Sequence, residues 1–242
     1  RGQIHFKDGK FYFYQSVELP EPRAVKSGIS AGIDFGIKKL FAIKVSNGEE
    51  KLIGRKRHFR QWMYHTNLIA DEQSKLANQN RKSSRRLKRL FSLRSKFQNN
   101  LYNNLTASAF KFLNKNKVEN LFVGDVQGIR TDADWGKRRN KMLHNYWAYD
   151  LLYHKIANKA EEYGIRDKYL TEEYTSQTCP VCGVSDANNK KDRIFICGFC
   201  DFFGHRDLVG ATNILNKGMH SLQSVHRAET SLLGGDGYAI VS

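Results

Sequence analysis

The chain opens with two aromatic-rich runs, Ile4 to Phe6 and Phe11 to Leu19. Between them lies Lys7-Asp8-Gly9-Lys10, which predicts a β-hairpin because Asp-Gly accepts the positive φ angles of a tight turn. Pro20 and Pro22 then stiffen a polar stretch, which predicts a linker. We therefore expect a domain boundary here and interpret the hairpin as the end of a β-domain from a longer protein.

Three short apolar runs follow the linker and are separated by turn residues. They cover Ser30 to Asp34, Leu40 to Val45 and Lys51 to Ile53, with Ser46-Asn47-Gly48 as a turn before the third. This pattern predicts three consecutive strands, antiparallel to one another. The first of them ends in a carboxylate, Asp34.

The next segment, Arg57 to Asn114, contains neither glycine nor proline. Its apolar residues recur near helical spacing, and those that define the pattern most clearly are Leu90, Phe97, Leu101, Leu105 and Phe112. The pattern predicts a pair of long helices.

The second half of the chain alternates between strands and helices. Val118 to Val123 predicts a strand that ends in Gly124-Asp125, and Tyr146 to Tyr163 predicts a helix with Gly164 as its C-cap. A fifth strand is predicted at Lys168 to Thr171 and a last helix at Leu208 to Leu215. We expect the final 24 residues to be loosely ordered.

This order of elements is the one that an RNase H-like fold requires. The predicted class is α/β, with an RNase H-like mixed sheet, a long basic helical insertion and a small four-cysteine zinc-finger insertion. Such folds gather carboxylates from the first strand, a later strand and a late helix. Carboxylate oxygens suit hard divalent cations such as magnesium, and two such ions can promote phosphodiester hydrolysis.

Charge points to a polyanionic partner. The chain carries 40 Lys and Arg against 24 Asp and Glu, a net charge of +16. Between Arg81 and Lys96 half of the residues are basic and none is acidic, so we expect nucleic-acid contact there, although a solvated surface is the alternative. The candidate contact residues are Arg81, Lys82, Arg85, Arg86, Lys88 and Arg89. An anionic membrane surface is the rival partner, but no apolar run is long enough to span a bilayer.

All four cysteines fall into two Cys-x-x-Cys pairs, Cys179/Cys182 and Cys197/Cys200. Four thiolates at this spacing predict one tetrahedral zinc ion in a closed, structural site. A rubredoxin-like iron and a redox pair are less favoured alternatives. The neighbouring phenylalanines are expected to pack around the metal rather than stack on bases; they are Phe195, Phe199, Phe202 and Phe203.

Two aspartates lie in glycine-containing motifs where catalytic carboxylates are expected. Asp34 lies in Gly-Ile-Asp-Phe-Gly-Ile, and Asp207 lies just before Gly-Ala-Thr-Asn-Ile. Taken singly, Asp34 suits a turn and Asp207 suits a helix N-cap. Together, in an RNase H-like order, they favour metal ligation.

Several segments resemble one protein family. AGIDFGIKKLFAI, the basic helical middle, YTSQTCPVCG, ICGFC and HRDLVGATNIL resemble the TnpB proteins of bacterial transposons, also called OrfB-type transposases, and their relatives the Fanzor proteins and type V CRISPR effectors. The resemblance spans nearly the whole chain. It implies RNA-guided DNA cleavage, with a guide RNA from the transposon end and a target DNA as partners. Asp34 and Asp207 match the first and third RuvC carboxylates of this family.

The sequence departs from the family at the second carboxylate, where Gly124 replaces the expected glutamate. In some members of the family the active site is rearranged, with the glutamate on the fifth strand. By this resemblance, Glu172 occupies that position. Asp125, next to the lost position, is the fallback candidate. The expectation is therefore two magnesium ions, with Asp34 bridging both and Glu172 and Asp207 each holding one.

Lys38 and Arg206 are expected either to neutralise the scissile phosphate or to be surface charges. A nuclease-dead, RNA-guided DNA-binding regulator is the alternative function, which the glycine at position 124 favours. A ribosome- or RNA-associated zinc protein without catalysis is a third, which the family motifs around Asp34 and Asp207 disfavour. We expect a cytoplasmic bacterial protein that joins the nucleoid when it binds DNA; the oligomeric state stays open.

The predicted domain boundaries follow from these assignments. They are an N-terminal wedge-like β-remnant with its linker (1–26), a RuvC domain (27–177) with its basic helical insertion (57–114), a zinc finger (178–203), the end of the RuvC domain (204–218) and a C-terminal tail (219–242).

Overall fold

The computed structural model describes residues 2–7, 9–18, 20–36, 39–125, 148–171, 177–185 and 193–233. Its elements, in chain order, are β1 Gly2–Lys7, β2 Lys10–Gln15, β3 Ser30–Phe35, β4 Phe41–Val45, β5 Glu50–Ile53, α1 Lys56–Asn78, α2 Arg85–Lys115, β6 Asn120–Asp125, α3 Tyr149–Tyr163, β7 Arg166–Thr171, β8 Ile194–Ile196, β9 Phe203–His205 and α4 Arg206–Leu233.

A five-stranded mixed sheet forms the centre of the fold, in the order β5-β4-β3-β6-β7. The strands β3, β4 and β5 are antiparallel, whereas β6 is parallel to β3 and β7 is parallel to β6. The prediction of three consecutive antiparallel strands is therefore confirmed. The mixed α/β class is confirmed as well.

Alternating side chains of the sheet divide the apolar core into two layers. Ile33, Leu121 and Val123 pack with apolar residues of α1, α2 and α3 on one face. Phe122 instead packs with Ile214 of α4 on the other face. Because strand side chains alternate between faces, each residue of β3 and β6 can be assigned to the α2/α3 side or to the α4 side.

The predicted helix pair is confirmed by α1 and α2, which form a hairpin. Ser84 is the N-cap of α2, and its hydroxyl oxygen accepts a hydrogen bond from the Leu87 backbone N–H at 2.9 Å. The same hydroxyl donates to Glu72 of α1 at 2.8 Å, which ties the start of α2 to α1. Gly164 ends α3 in a left-handed conformation with φ of 65°, as its sequence position predicted.

The predicted end of the last helix was wrong. It continues to Leu233 instead of ending at Leu215, so residues 219–233 are helical rather than loosely ordered. Its apolar stripe continues through Leu222, which packs against the cluster of Phe122, Ile214 and Leu215. Gly218 lies within the helix and does not end it.

The predicted hairpin is confirmed as an isolated two-stranded sheet of β1 and β2. Its second strand ends at Gln15, which pairs with Gly2, rather than at Leu19. One face of the hairpin carries four side chains that are exposed among the described residues, namely Ile4, Phe6, Phe11 and Phe13.

Helix α4 lies directly against the sheet because glycines remove the intervening side chains. A Cβ atom on Gly32 of β3 would lie 2.3 Å from the backbone oxygen of Ala211. A Cβ atom on Gly218 would lie 2.1 Å from the ring of Phe122. Any larger residue at these positions therefore moves α4 away from the strands that it covers.

Gly32→Ala is expected to lower the free energy of unfolding by about 2 to 3 kcal/mol, because the new methyl group overlaps the α4 backbone. Urea denaturation of the metal-loaded protein measures this change. Gly198→Ala is the matched control, since a Cβ atom at Gly198 meets no atom within 4 Å. Equal stability of the two variants would contradict the close packing of α4 on β3.

Candidate active site and metal centre

Asp34 lies on the α4 side of the sheet. It shares that face with Gly32, while Ile33 and Phe35 point into the core on the other side. A Cβ atom on Gly210 of α4 would lie 2.6 Å from Oδ2 of Asp34, so the half-buried carboxylate rests against the helix backbone. Glycine at position 210 leaves the space that this carboxylate occupies.

Asp207 approaches the same corner from the helix. It is the second residue of α4, where the positive end of the helix dipole favours a negative charge. Its Oδ2 lies 3.6 Å from the position that a Cβ atom would take on Gly36, two residues beyond Asp34. The structure therefore brings Asp34 and Asp207 to one corner, where β3 ends and α4 begins.

Asp125, the fallback candidate, lies on the opposite face. Phe122 packs against α4, so alternation gives Gly124 the α4 side and Asp125 the α3 side. The hydroxyl of Tyr153 in α3 donates to Oδ1 of Asp125 at 3.2 Å. By the parallel register of β3 and β6, Gly124 is the residue level with Asp34. This glycine offers no ligand beside Asp34.

Glu172 and Lys38 lie outside the described residues. The strand that leads to Glu172 ends at Thr171, and α4 holds that end. The ammonium group of Lys217 donates to the backbone oxygen of Thr171 at 2.9 Å and to its hydroxyl at 2.8 Å. Earlier in β7, Leu170 packs against the apolar cluster of α4. Both contacts fix the carboxyl end of β7 relative to α4.

Arg193 is a site residue that the sequence analysis missed. Its Nη1 lies 3.6 Å from Oδ2 of Asp207, and its backbone oxygen accepts a hydrogen bond of 2.7 Å from the N–H of Arg206. His205 Nδ1 lies 3.9 Å from the same carboxylate oxygen. Arg193 comes from the cysteine-containing insertion, and no sequence signal joined it to Asp207.

The four cysteine sulfurs form a compact cluster. The Sγ atoms of Cys179 and Cys200 are 3.6 Å apart, and those of Cys182 and Cys197 are 3.5 Å apart. These distances exceed a disulfide bond of about 2.05 Å and suit a tetrahedral ion with metal–sulfur bonds of about 2.3 Å. The cluster could therefore bind a zinc ion. Among the described residues, it is the only group of three or more potential ligands within 4.8 Å of one another.

Backbone hydrogen bonds prepare one of these thiols for metal binding. The N–H groups of Phe199 and Cys200 lower the pKa of Cys197 to about 7, which favours the thiolate that a metal requires. A further backbone hydrogen bond of 2.8 Å, from the N–H of Cys197 to the oxygen of Phe202, closes the loop that carries Cys197 and Cys200. The loop geometry therefore suits a metal-bound thiolate at Cys197.

The prediction that four phenylalanines pack around the metal is right for two of them. Phe195 is fully buried with the cysteines, and Phe202 packs against the same cluster. Phe199 and Phe203 are each 76% exposed, so the prediction is wrong for these two. The hairpin of β8 and β9 has only one inward face, and Phe203 pairs with the exposed Ile196 on the outward one.

The first residues of the cysteine-containing insertion are also attached to α4. The side-chain amide of Asn213 donates to the backbone oxygen of Thr178 at 2.8 Å, immediately before Cys179. Together with the pair of Arg193 and Asp207, this bond fixes the cysteine cluster relative to the carboxylate corner.

The six basic candidates at the α1–α2 hairpin are exposed: Arg81, Lys82, Arg85, Arg86, Lys88 and Arg89. Glu72 pairs with Arg86 at 3.3 Å.

Arg206 is the half-buried first residue of α4, beside Asp207. None of the described helices has the length and apolar character that a membrane span needs.

Two family models match the chain. One, OrfB_IS605, described as a probable transposase, matches residues 14–130, and the other, described as the TNB domain of Cas12f1-like proteins, matches residues 149–214. These matches show that the chain is similar to the transposon-associated TnpB proteins and the type V effectors. The chain is related to this group, which confirms the resemblance found in the sequence.

Individual relatives agree with the family models. TnpB-like protein ORF457 of Acidianus two-tailed virus is 28% identical over 212 residues, which cover 84% of this chain and 44% of the viral protein. The CRISPR-associated endodeoxyribonuclease Cas12f1 of an uncultured archaeon is 25% identical over 222 residues, which cover 85% of this chain and 41% of Cas12f1. The chain thus spans less than half the length of either relative.

A solved structure of a similar protein supports the fold. The Cas12f1 chain in a cryo-EM structure of a Cas12f1-sgRNA-target DNA complex matches with a TM-score of 0.61 and 21% identity. The match covers 88% of this chain and 55% of that chain. At this level of identity it is the fold that the comparison shows.

Proposed function

We propose that this chain forms the RuvC and zinc-finger part of an RNA-guided, magnesium-dependent DNA endonuclease. The observation that carries the proposal is the convergence of Asp34 and Asp207 where β3 meets α4, with glycines at positions 36 and 210 leaving room for the two carboxylates. The strand order and the mixed strand directions support an RNase H-like fold. Relatives named as Cas12f1 endodeoxyribonucleases support DNA cleavage as the activity.

The residues at the corner suit divalent metal ions. Asp34 is half-buried and the Asp207 side chain is 23% exposed, so both side chains are partly accessible to solvent. Two bound magnesium ions would activate the attacking water and stabilise the leaving oxygen. Asp34 would contact both ions and Asp207 one of them. Arg193 holds Asp207 in place through its guanidinium group.

Glu172 is our candidate for the third carboxylate. Leu170 points towards α4, and an extended chain would give position 172 the same face, which is the face of Asp34 and Asp207. The hydrogen bonds from Lys217 to Thr171 support this assignment because they hold Thr171 beside α4. Consecutive Cα atoms are about 3.8 Å apart, so Glu172 must begin close to the same helix. Asp125 faces α3 and is a poorer candidate.

The nucleic-acid partners are proposed to be a guide RNA transcribed from the transposon end and a complementary target DNA. The Cas12f1 structure is a complex with an sgRNA and a target DNA, and the exposed arginines and lysines of the α1–α2 hairpin offer a surface for phosphates. Lys38 and Arg206 are proposed to neutralise the scissile phosphate. The zinc finger, residues 178–203, is proposed to hold one structural zinc ion.

The second candidate function is a nuclease-dead, RNA-guided DNA-binding regulator. Gly124 favours it, because this position lies level with Asp34 on the correct face and carries no ligand. The two functions differ only in whether another carboxylate completes the corner.

Cleavage of a matched DNA target by the full-length protein with its RNA tests the proposal. We expect magnesium-dependent cleavage by the wild type, and loss of cleavage with retained DNA binding in Asp34→Asn. The control target has the same composition but no complementarity to the guide. Tight guided binding of the matched target without cleavage by the wild type would support the regulator instead.

Gly210→Ala tests the carboxylate corner without removing a ligand. The new methyl group would lie 2.6 Å from Oδ2 of Asp34, so the carboxylate must move and cleavage is expected to fall at least about tenfold, or about 1.4 kcal/mol of barrier. Single-turnover cleavage measures the rate, and thermal unfolding checks that α4 stays in place. Unchanged cleavage in a stably folded variant would show that Asp34 does not depend on this contact.

A further inference from the structure

A groove lined mainly by residues with polar side chains lies between α2 and α3, on the side of the sheet opposite α4. Its volume is about 420 Å³ and its polar lining consists of Asn103, Asn104, Thr106, Lys155, Asn158 and Lys159. Among the residues that the structure describes, none that lines the groove is acidic, and neither Asp34 nor Asp207 lines it.

The lining is rich in hydrogen-bond donors. Lys155 Nζ donates to Oδ1 of Asn103 at 2.7 Å, and Lys159 pairs with Glu162 at the groove edge. An ammonium group has three N–H donors, so each lysine keeps donors for a ligand. The hydroxyl of Thr106 is buried and has no hydrogen-bond partner within the part of the chain that the structure describes. This set of groups suits an anion with several acceptor oxygens.

The groove lies at the end of a line of exposed polar residues along α2, the first two of which are basic. Arg89, Lys96 and Asn103 are exposed and follow one another at intervals of seven residues, which places them on nearly the same side of the helix. At 1.5 Å per residue the line is about 21 Å long, or roughly six base pairs of a duplex at about 3.4 Å each. A single small anion would occupy only the groove, whereas a nucleic-acid backbone can follow the whole line.

We propose that the groove binds the phosphodiester backbone of a nucleic-acid duplex, as the far end of a contact line along α2. Lys155 and Lys159 donate to phosphate oxygens, and the asparagine amides at positions 103, 104 and 158 add neutral hydrogen bonds. This inference rests on the proposed function, whose guide RNA and target DNA supply the duplex, and adds a contact site on the face of the sheet opposite Asp34 and Asp207.

Salt-dependent binding of an RNA duplex and a DNA duplex of the same sequence, each about 12 base pairs long, tests this proposal. The full-length wild type is compared with the double variant Lys155→Gln/Lys159→Gln by fluorescence anisotropy. Two lost phosphate contacts are expected to reduce the slope of log K against log salt by about 1.8 on DNA and to weaken binding at least about tenfold. The control, Lys26→Gln/Lys115→Gln, removes the same charge at exposed positions outside the groove.

The two duplexes separate the possible sources of the backbone. A larger loss on RNA assigns the groove to a guide RNA, a larger loss on DNA assigns it to the target, and equal losses assign it to either backbone. A slope and an affinity equal to those of the control on both duplexes would overturn the proposal.

The variant Asn104→Asp provides a second test, since it adds a carboxylate at an exposed position of the groove without altering the core. It is expected to weaken duplex binding by about threefold or more, and unchanged binding counts against the proposal. Binding is measured without cleavage, so the result does not depend on the nuclease activity.

Discussion

Replacing Glu172 by alanine is expected to lower the rate of guided target cleavage at least about a hundredfold, whereas Asp125→Asn is expected to stay within about threefold of the wild type. A hundredfold loss corresponds to about 2.7 kcal/mol of barrier, which suits the loss of one metal ligand. The physical reason for the difference is the alternation of strand faces. Asp125 bonds to Tyr153 on the α3 side, while position 172 follows Leu170 and Thr171 on the strand end that α4 holds.

Single-turnover cleavage of a matched DNA target, with saturating guide RNA and varied magnesium, measures both variants. Guided DNA binding in the absence of magnesium is the control for folding and assembly. Loss of cleavage in Asp125→Asn alone would assign the remaining catalytic carboxylate to Asp125 of β6 instead of Glu172. It would also show that the face assignment from Phe122 and Tyr153 does not hold at the end of that strand.

Removing the metal from the cysteine cluster is expected to unfold the hairpin of β8 and β9. Its buried apolar cluster is small, consisting of Phe195 and Val209 with two cysteines, and cannot replace a metal that contributes about 10 kcal/mol or more to such sites. Unfolding releases Arg193 from Asp207, so cleavage is expected to fall at least about tenfold. The measurement is hydrogen exchange of Ile194–Ile196 together with the cleavage rate, after treatment with a zinc-selective chelator.

Magnesium is kept constant in this experiment, and the control is the same sample after zinc is restored. Cys182→Ser gives the matched variant, since Cys182 is the exposed ligand and its hydroxyl cannot replace a thiolate. Slow exchange in the metal-free protein would show that the hairpin folds without the metal. Unchanged cleavage with an unfolded hairpin would show that Arg193 is not needed at Asp207.

The sequence predicted most elements of the sheet because their apolar runs are bounded by clear turn residues. It also gave Asp34 and Asp207 as candidates, since both lie in short glycine-containing motifs, and the structure places both at the corner of β3 and α4. The helix α4 was predicted to end at Leu215, whereas it continues through Gly218 to Leu233. In the folded chain that glycine allows the ring of Phe122 to approach the helix, and this contact between distant residues has no local signal.

The same limit applies to two residues near the site, Arg193 and Asp125. Arg193 reaches Asp207 only because the cysteine insertion folds back on the start of α4. Asp125 differs from Gly124 by one position, and that single step moves its side chain to the opposite face of the sheet. Sequence spacing predicted the cluster of four cysteines that could bind a metal, because its geometry depends on local loops.

The most direct test of this account is an experimental structure of the full-length protein with guide RNA, target DNA and Mn²⁺ or Ca²⁺ in place of Mg²⁺. We expect the ions at the corner of β3 and α4, with carboxylate oxygens of Asp34, Asp207 and Glu172 within about 2.0 to 2.6 Å of them. Ions held by Asp125, or the absence of any ion beside Asp34 and Asp207 with the DNA bound, would contradict the proposed site.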